Sequence, residues 1–252
     1  MQIDLIGMNI VVAGASRGIG RAIALACAGA GASVSICARG LPTLHEARDE
    51  IAAMGGTVHA ASCDLASEAA IESYIAEAAA ALGGIDVLVN NASGLGSGDD
   101  EESWETSLAV DLLAVVRASR SALPHLLKRP GASIINIASG SGLNASPRTP
   151  AYGAAKAAVI HYTRTQAAKL AQHGIRVNCV APGSIEFPGG VWDIRKRDTP
   201  ALYAATLASC PMGRMGRVEE VANVAAFLAS PLASWVTAQI IGVNGAQGMP
   251  RG

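Results

Sequence analysis

Three side chains in this sequence have types and spacing that could handle a proton and a carbonyl group. Tyr152 and Lys156 stand four apart in Tyr152-Gly153-Ala154-Ala155-Lys156, and Ser139 lies thirteen positions upstream. Residues four apart share one face of an α-helix, so a phenol and an ammonium can meet at one site. An ammonium beside a phenol favours the phenolate and brings proton exchange toward neutral pH. Ser139 could supply the hydroxyl that orients a carbonyl. Tyr-x-x-x-Lys is also ordinary on a helix surface, so the elements that must position these residues decide its meaning.

Those elements alternate. A short apolar run, Met8 to Ala13, stops at Gly14-Ala15-Ser16-Arg17-Gly18-Ile19-Gly20, and the pattern turns helical through Ala22 to Ala30. Strand, glycine turn and helix make a dinucleotide-binding start: Gly14 allows the tight turn, Gly18 and Gly20 admit close approach, and the helix N-terminus offers N–H groups to phosphate. The second strand, Ser33 to Ala38, ends at Arg39 with no carboxylate beside it. An NAD-preferring site usually puts Asp or Glu there for the ribose hydroxyl. Arg39, with Arg17 from the glycine turn, suits a 2′-phosphate instead, and the reading is NADP(H) in preference to NAD(H).

Further strands are expected at Thr57 to Ser62, followed by Asp64, and at Ile85 to Val89, ending in Asn90-Asn91-Ala92-Ser93. Asp64 is either a strand-end carboxylate near the Ser67 helix cap or an acceptor for an adenine amino group. The paired asparagines can bridge neighbouring strands and line the ligand crevice of an open parallel sheet. One amphipathic helix is expected from about Trp104 to Leu127, with Leu108, Leu112, Val115, Val116 and Leu123 as core candidates and Asp111 as the polar exception. The fifth strand, Ser133 to Ala138, delivers Ser139, and Thr149-Pro150 has the form of a helix start, so Tyr152 falls in the first turn. Ile175 to Val180 leads to Pro182-Gly183. From Ser184 to about Ser209 periodicity fails, and the segment reads as a structureless lid. A helix at Val218 to Leu228 and a strand near Gln239 to Val243 close the chain. The pattern predicts an α/β fold: one doubly wound, seven-stranded parallel sheet with helices on both faces, a Rossmann fold in a single domain over 1–252.

A formal net charge of −1 with 15% charged residues leaves no basic footprint for nucleic acid, and a small partner fits better. The five cysteines (Cys27, Cys37, Cys63, Cys179, Cys210) are scattered without a CxxC pair and read as core residues of a reduced compartment. The N-terminus does not look like a signal peptide, and no apolar run approaches the ~20 residues that span a bilayer. The expectation is a cytoplasmic protein without membrane contact.

The glycine turn, Asp64, Asn90-Asn91-Ala92, Ser139, Tyr152, Lys156, Pro182-Gly183 and Pro211-Met212-Gly213-Arg214-Met215-Gly216, in this order and spacing, resemble the short-chain dehydrogenase/reductase family over essentially the whole chain. The resemblance implies that Tyr152 is the general acid/base, that Lys156 supports it and holds the nicotinamide ribose, and that Ser139 polarises the substrate oxygen. Asp111 joins this catalytic set, standing where the family generally has an asparagine whose backbone carbonyl holds a water behind the lysine. The implied cofactor groove takes Gly14, Ser16, Arg17, Gly18, Ile19 and Gly20 from the turn, and Arg39, Asp64, Leu65, Asn90, Asn91 and Ala92 from the next strand ends. Tyr152, Lys156, Pro182, Gly183 and Ile185 complete it, and no metal is required.

The chain departs from the pattern at Ala13 for threonine, Ser93 for glycine, Phe187 for a threonine beside the nicotinamide, and Val243-Asn244-Gly245-Ala246 for Asp-Gly-Gly. The implied activity is hydride transfer between nicotinamide and a secondary alcohol or ketone, in a homotetramer. A 3-oxoacyl-acyl carrier protein reductase is the alternative, set second because His173 sits where those reductases tend to have arginine. A non-catalytic dinucleotide-binding regulator is the alternative of another class.

Overall fold

The computed structural model describes residues 3–248. Its centre is a parallel sheet of seven strands in the order β3-β2-β1-β4-β5-β6-β7. The strands are β1 (Asn9–Ala13), β2 (Ser33–Ala38), β3 (Val58–Ser62), β4 (Val87–Asn90), β5 (Ser133–Ile137), β6 (Arg176–Pro182) and β7 (Ile240–Val243). The helices are α1 (Gly18–Gly29), α2 (Leu41–Ala52), α3 (Glu68–Leu82), α4 (Glu101–Thr106), α5 (Ala114–Leu126), α6 (Pro150–Leu170), α7 (Val191–Asp198), α8 (Pro200–Ala208) and α9 (Val218–Ala229). This is the doubly wound arrangement the alternating pattern predicts.

Side chains of successive strand residues point to opposite faces, and burial on both faces explains why the strands are apolar runs. Ile10, Val12, Val34, Ile36, Val87 and Val89 pack on one face with residues of α1, α2 and α9. Val11, Leu88, Ile134 and Val177 pack on the other with α3 and α5. Strand β6 runs to Pro182, beyond the expected end at Val180, because Ala181 and Pro182 pair with Gly242 and Val243 of β7.

Two expectations fail in instructive ways. The helix expected from Trp104 to Leu127 is α4, then a π-helical segment at Ser107–Leu113, then α5. A π turn widens the helix and shifts its phase, so a uniform 3.6-residue stripe picks the wrong face. Ser107 and Asp111 turn inward and are fully buried, whereas Leu108, an expected core residue, is 40% exposed. The segment from Ser184 to Ser209 is not structureless either, since it contains α7 and α8. Its base is fixed by a bridge between Ile185 and Gly216.

Candidate active site

Strand order reverses between β1 and β4, and open parallel sheets leave a crevice at such a point. Here it is narrow. Asn91 Nδ2 donates to the Gly14 carbonyl at 2.6 Å, and Asn91 N–H to the Ala13 carbonyl at 3.1 Å. Gly14 has φ +83°, and a Cβ built on it would come within 2.8 Å of Ala92 Cα, so only glycine serves. Helix α1 starts immediately after, at Arg17, with no side chain capping its first turn. Uncapped N–H groups at the crevice, a glycine that admits close approach and a brace from Asn91 together fit a dinucleotide pyrophosphate. Ser16 and Ile19 are half-buried on the same turn, and Gly20 is buried where it packs against the Gly14 carbonyl.

Two expected groove residues are turned elsewhere. Asn90 is buried, and its Nδ2 donates to Asn136 Oδ1 at 2.8 Å and to Ser119 Oγ at 3.1 Å. Asn136 in turn donates to Thr163 Oγ1 at 3.0 Å, so this network ties β4 and β5 to α5 and α6 and does not line the groove. Arg17 Nη1 donates to the Gly189 carbonyl at 3.2 Å and does not join Arg39. Arg39 is exposed just beyond β2; its carbonyl accepts from Ser62 Oγ at 3.3 Å, and its guanidinium has no hydrogen-bond or ion-pair partner among the described residues. Asp64 is exposed beyond β3, where its Oδ1 accepts from Ala66 N–H at 3.0 Å, while Leu65 is buried.

The proton-handling residues meet at the other end of the crevice. Thr149 lies outside helical geometry and Pro150 opens α6, which sets Tyr152 in the first turn and Lys156 one turn on. Tyr152 and Ser139 line one cavity of about 770 Å³, with Pro182 and Gly183 at its floor and Val191, Trp192 and Ile194 of α7 on the lid side. Ser139 Oγ accepts from Ser141 N–H at 3.1 Å, which leaves its own proton free for a ligand oxygen.

Lys156 is 1% exposed and its Nζ lies 5.6 Å from the Tyr152 ring centroid. A buried ammonium needs partners, and it has two: the Ile137 carbonyl at 3.1 Å and Asp111 Oδ1 at 3.2 Å. Asp111 is itself wholly buried. Its Oδ2 accepts from Gly94 N–H at 3.1 Å, and its Oδ1 is compensated by the charge of Lys156 alone. Cys179 is near enough to feel the lysine charge, but burial pushes its thiol up to about 11, so it stays neutral.

Sequence reasoning placed Tyr152, Lys156, Ser139 and Asp111 together, and the fold brings them together. It gave no role to Arg148 and Arg195, which also border the cavity, nor to Gln247, whose Oε1 accepts from Ser184 N–H at 2.9 Å. Phe187 marks the join between the two ends of the crevice. A Cβ on Gly18 would come within 2.5 Å of its ring.

Comparison with known proteins agrees with this geometry. The family model described as enoyl-(acyl carrier protein) reductase matches residues 14–247. The chain is 36% identical to isoepoxydon dehydrogenase patN of Penicillium expansum, over 95% of this chain and 94% of that one. It is 34% identical to the 3-oxoacyl-[acyl-carrier-protein] reductase FabG of Chlamydia pneumoniae, over 97% and 98%. A crystal structure from Sinorhizobium meliloti, described as a short-chain alcohol dehydrogenase, superposes with a TM-score of 0.91 at 33% identity, covering 97% of this chain and 98% of that one. The chain belongs to the short-chain dehydrogenase/reductase family and is an oxidoreductase of CH–OH and ketone groups that uses a nicotinamide dinucleotide.

Proposed function

We propose that the chain is an NADP(H)-dependent oxidoreductase that interconverts a free secondary alcohol and its ketone, with Tyr152 as general acid/base. The observation that carries this is the grouping of Tyr152 and Ser139 on one cavity with Lys156 buried behind the phenol. The dinucleotide, when bound, supplies or accepts the hydride. Gly14, Ser16, Gly18, Ile19, Gly20, Asn91 and Ala92 would hold its phosphates and Asp64 with Leu65 its adenine. Lys156, Pro182, Gly183 and Ile185 would border its nicotinamide half. Ser139 donates to the substrate oxygen and fixes it near the phenol. Tyr152 gives that oxygen its proton in reduction and removes it in oxidation, while Lys156 stabilises the phenolate that remains. Asp111 positions Lys156.

The coenzyme preference rests on Arg39, which stands unpaired at the ribose end of the groove with no carboxylate beside it. Tyr152→Phe removes only the proton donor, so kcat is expected to fall by about a thousandfold while the NADPH dissociation constant stays within about twofold. Turnover retained in that variant would rule out the role of Tyr152. Dissociation constants for NADPH and NADH, measured side by side, are expected to favour NADPH by about tenfold and to converge in Arg39→Ala. A second reading, reduction of 3-oxoacyl groups on a carrier protein, draws support from the name of one relative. We also read the assembly as a homotetramer.

A further inference from the structure

Charge is distributed unevenly around the cavity in front of Tyr152. Among the described residues that line it, the charged side chains are Arg148 and Arg195, with no carboxylate between them. Arg148 lies on the loop that leads into α6, and Arg195 sits in the last turn of α7. Neither forms an ion pair among the described residues. Two acids of the same lid are engaged elsewhere, and the third, Asp198, does not line the cavity: Asp193 Oδ2 accepts from Gly189 N–H at 2.9 Å, and Glu186 accepts from Lys196 Nζ at 3.1 Å and the Tyr203 hydroxyl at 3.0 Å.

Arg195 is nevertheless held in place. Its guanidinium stacks over the Trp192 ring, 4.8 Å from the centroid, which orients the group without neutralising it. Burial, and after it the charge of Arg148, lowers the pKa of Arg195, so the two cations act on one another. An isolated surface arginine is ordinarily just solvated. Two that repel one another at the rim of a half-apolar cavity, one of them fixed on an indole, leave an unfavourable interaction that an anion would relieve.

We infer that Arg148 and Arg195 form an anion subsite of the substrate cavity, and that the substrate is a ketone or secondary alcohol carrying an oxyanion, a carboxylate or phosphate monoester, at its far end. The oxidoreductase reading above is used for the reacting end only. Planar guanidiniums match both oxyanions through paired N–H···O contacts, and Val191, Trp192 and Ile194 offer apolar surface to the carbon skeleton between the two ends.

The test uses paired ketones that carry or lack the oxyanion on one aryl ketone framework: 4-acetylbenzoate against its methyl ester, and 4-acetylphenyl phosphate against 4-acetylphenol. Each is assayed for turnover with NADPH and for binding by calorimetry, in the wild-type chain, Arg148→Gln, Arg195→Gln and the double variant. Arg195→Lys keeps the charge and serves as the conservative control.

In the wild type, kcat/KM for at least one charged ketone is expected to exceed that of its neutral partner by about tenfold or more. The ratio should collapse toward one in the double variant and survive in part in Arg195→Lys. The charged compound that gains more identifies the oxyanion. Equal values within both pairs, or a preference that outlasts the double substitution, would overturn the subsite and leave the oxidoreductase reading standing. Absence of turnover, with charged members still bound about tenfold tighter than neutral ones and released by the double variant, supports the subsite and removes the reaction. Failure of any charged member to bind, or activity confined to acyl groups on an acidic carrier protein without charge discrimination, overturns it.

Discussion

The ammonium of Lys156 lies near the Tyr152 phenol and beside a carboxylate that offsets its charge. Both lie on one side of the sheet edge, and water reaches neither Lys156 nor Asp111. Replacing Asp111 by Asn removes a negative charge beside the site and retains an acceptor for Gly94 N–H. On the proposed role of Tyr152, losing that charge is expected to move the rising limb of the pH–rate profile for alcohol oxidation to lower pH. The same change leaves an ammonium buried without its counter-ion, at a cost that can reach about 3 kcal/mol, and a lower Tm should accompany the shift. An unmoved pH profile with a lowered Tm would make Asp111 structural only. At this scale the sequence was informative where function follows from local spacing. Tyr152 and Lys156 are one helical turn apart, so their meeting needs no tertiary knowledge. Arg17 finds its partner in Gly189, far along the chain, and Arg148 and Arg195 reach one cavity from a loop and a helix end distant in sequence, which no local pattern encodes.

The lid shows how much one carboxylate can organise. Glu220, in the first turn of α9, accepts from Arg217 N–H at 2.8 Å and from Arg214 Nη1 and Nη2 at 2.9 and 2.5 Å. It thereby sets the turn that carries Gly216, whose N–H and carbonyl hold Ser184 and Glu186 at the lid base, each at 2.9 Å. The Arg214 guanidinium, then Arg217 N–H, pull the Glu220 carboxyl from its ordinary 4.5 down to about 2. A depressed acid contributes stability above its unfolded value and loses it as pH falls through the folded one. Glu220→Gln is therefore expected to lower Tm at neutral pH, by the equivalent of at most about 1 kcal/mol because the pair is exposed. The gap should close between about pH 4.5 and 2, as thermal melts across that range would record. Elements were legible where periodicity is uniform, as in β1, β5 and α9. It fails at Ser107–Leu113, where the π turn changes the repeat, and at α7 and α8, which are too short to establish one.

Across the whole molecule, strand order could be reasoned from the alternation of strands and helices, because right-handed crossovers leave few ways to wind seven parallel strands. What the alternation does not reveal is which apolar side chains remain outside. Leu108 and Leu113, toward the two ends of the π-helical segment, are 40% and 41% exposed. Large apolar groups left exposed on one segment suit a partner copy, in keeping with the homotetramer reading. On that reading, Leu113→Glu would bury a charge in such a contact and should give species smaller than the wild type in sedimentation velocity; a wild-type monomer would exclude the assembly. Among the described residues no helix is long and apolar enough to cross a membrane.

One loop touches both ends of the crevice. Arg17 and Gly18 at the glycine turn contact Gly189 and Phe187, and three residues beyond Gly189 the Trp192 ring lines the substrate cavity. If the dinucleotide and the substrate bind as proposed, they are expected to act as heterotropic ligands, each altering the other's affinity by the same factor. The dissociation constant of an unreactive ketone should differ between empty and NADP⁺-saturated protein, and Arg17→Ala should bring the ratio closer to one. Calorimetry reads both directions of that cycle, and a wild-type ratio of one would separate the two sites. A coupled pair of sites would make the affinity that the substrate meets depend on which coenzyme is bound.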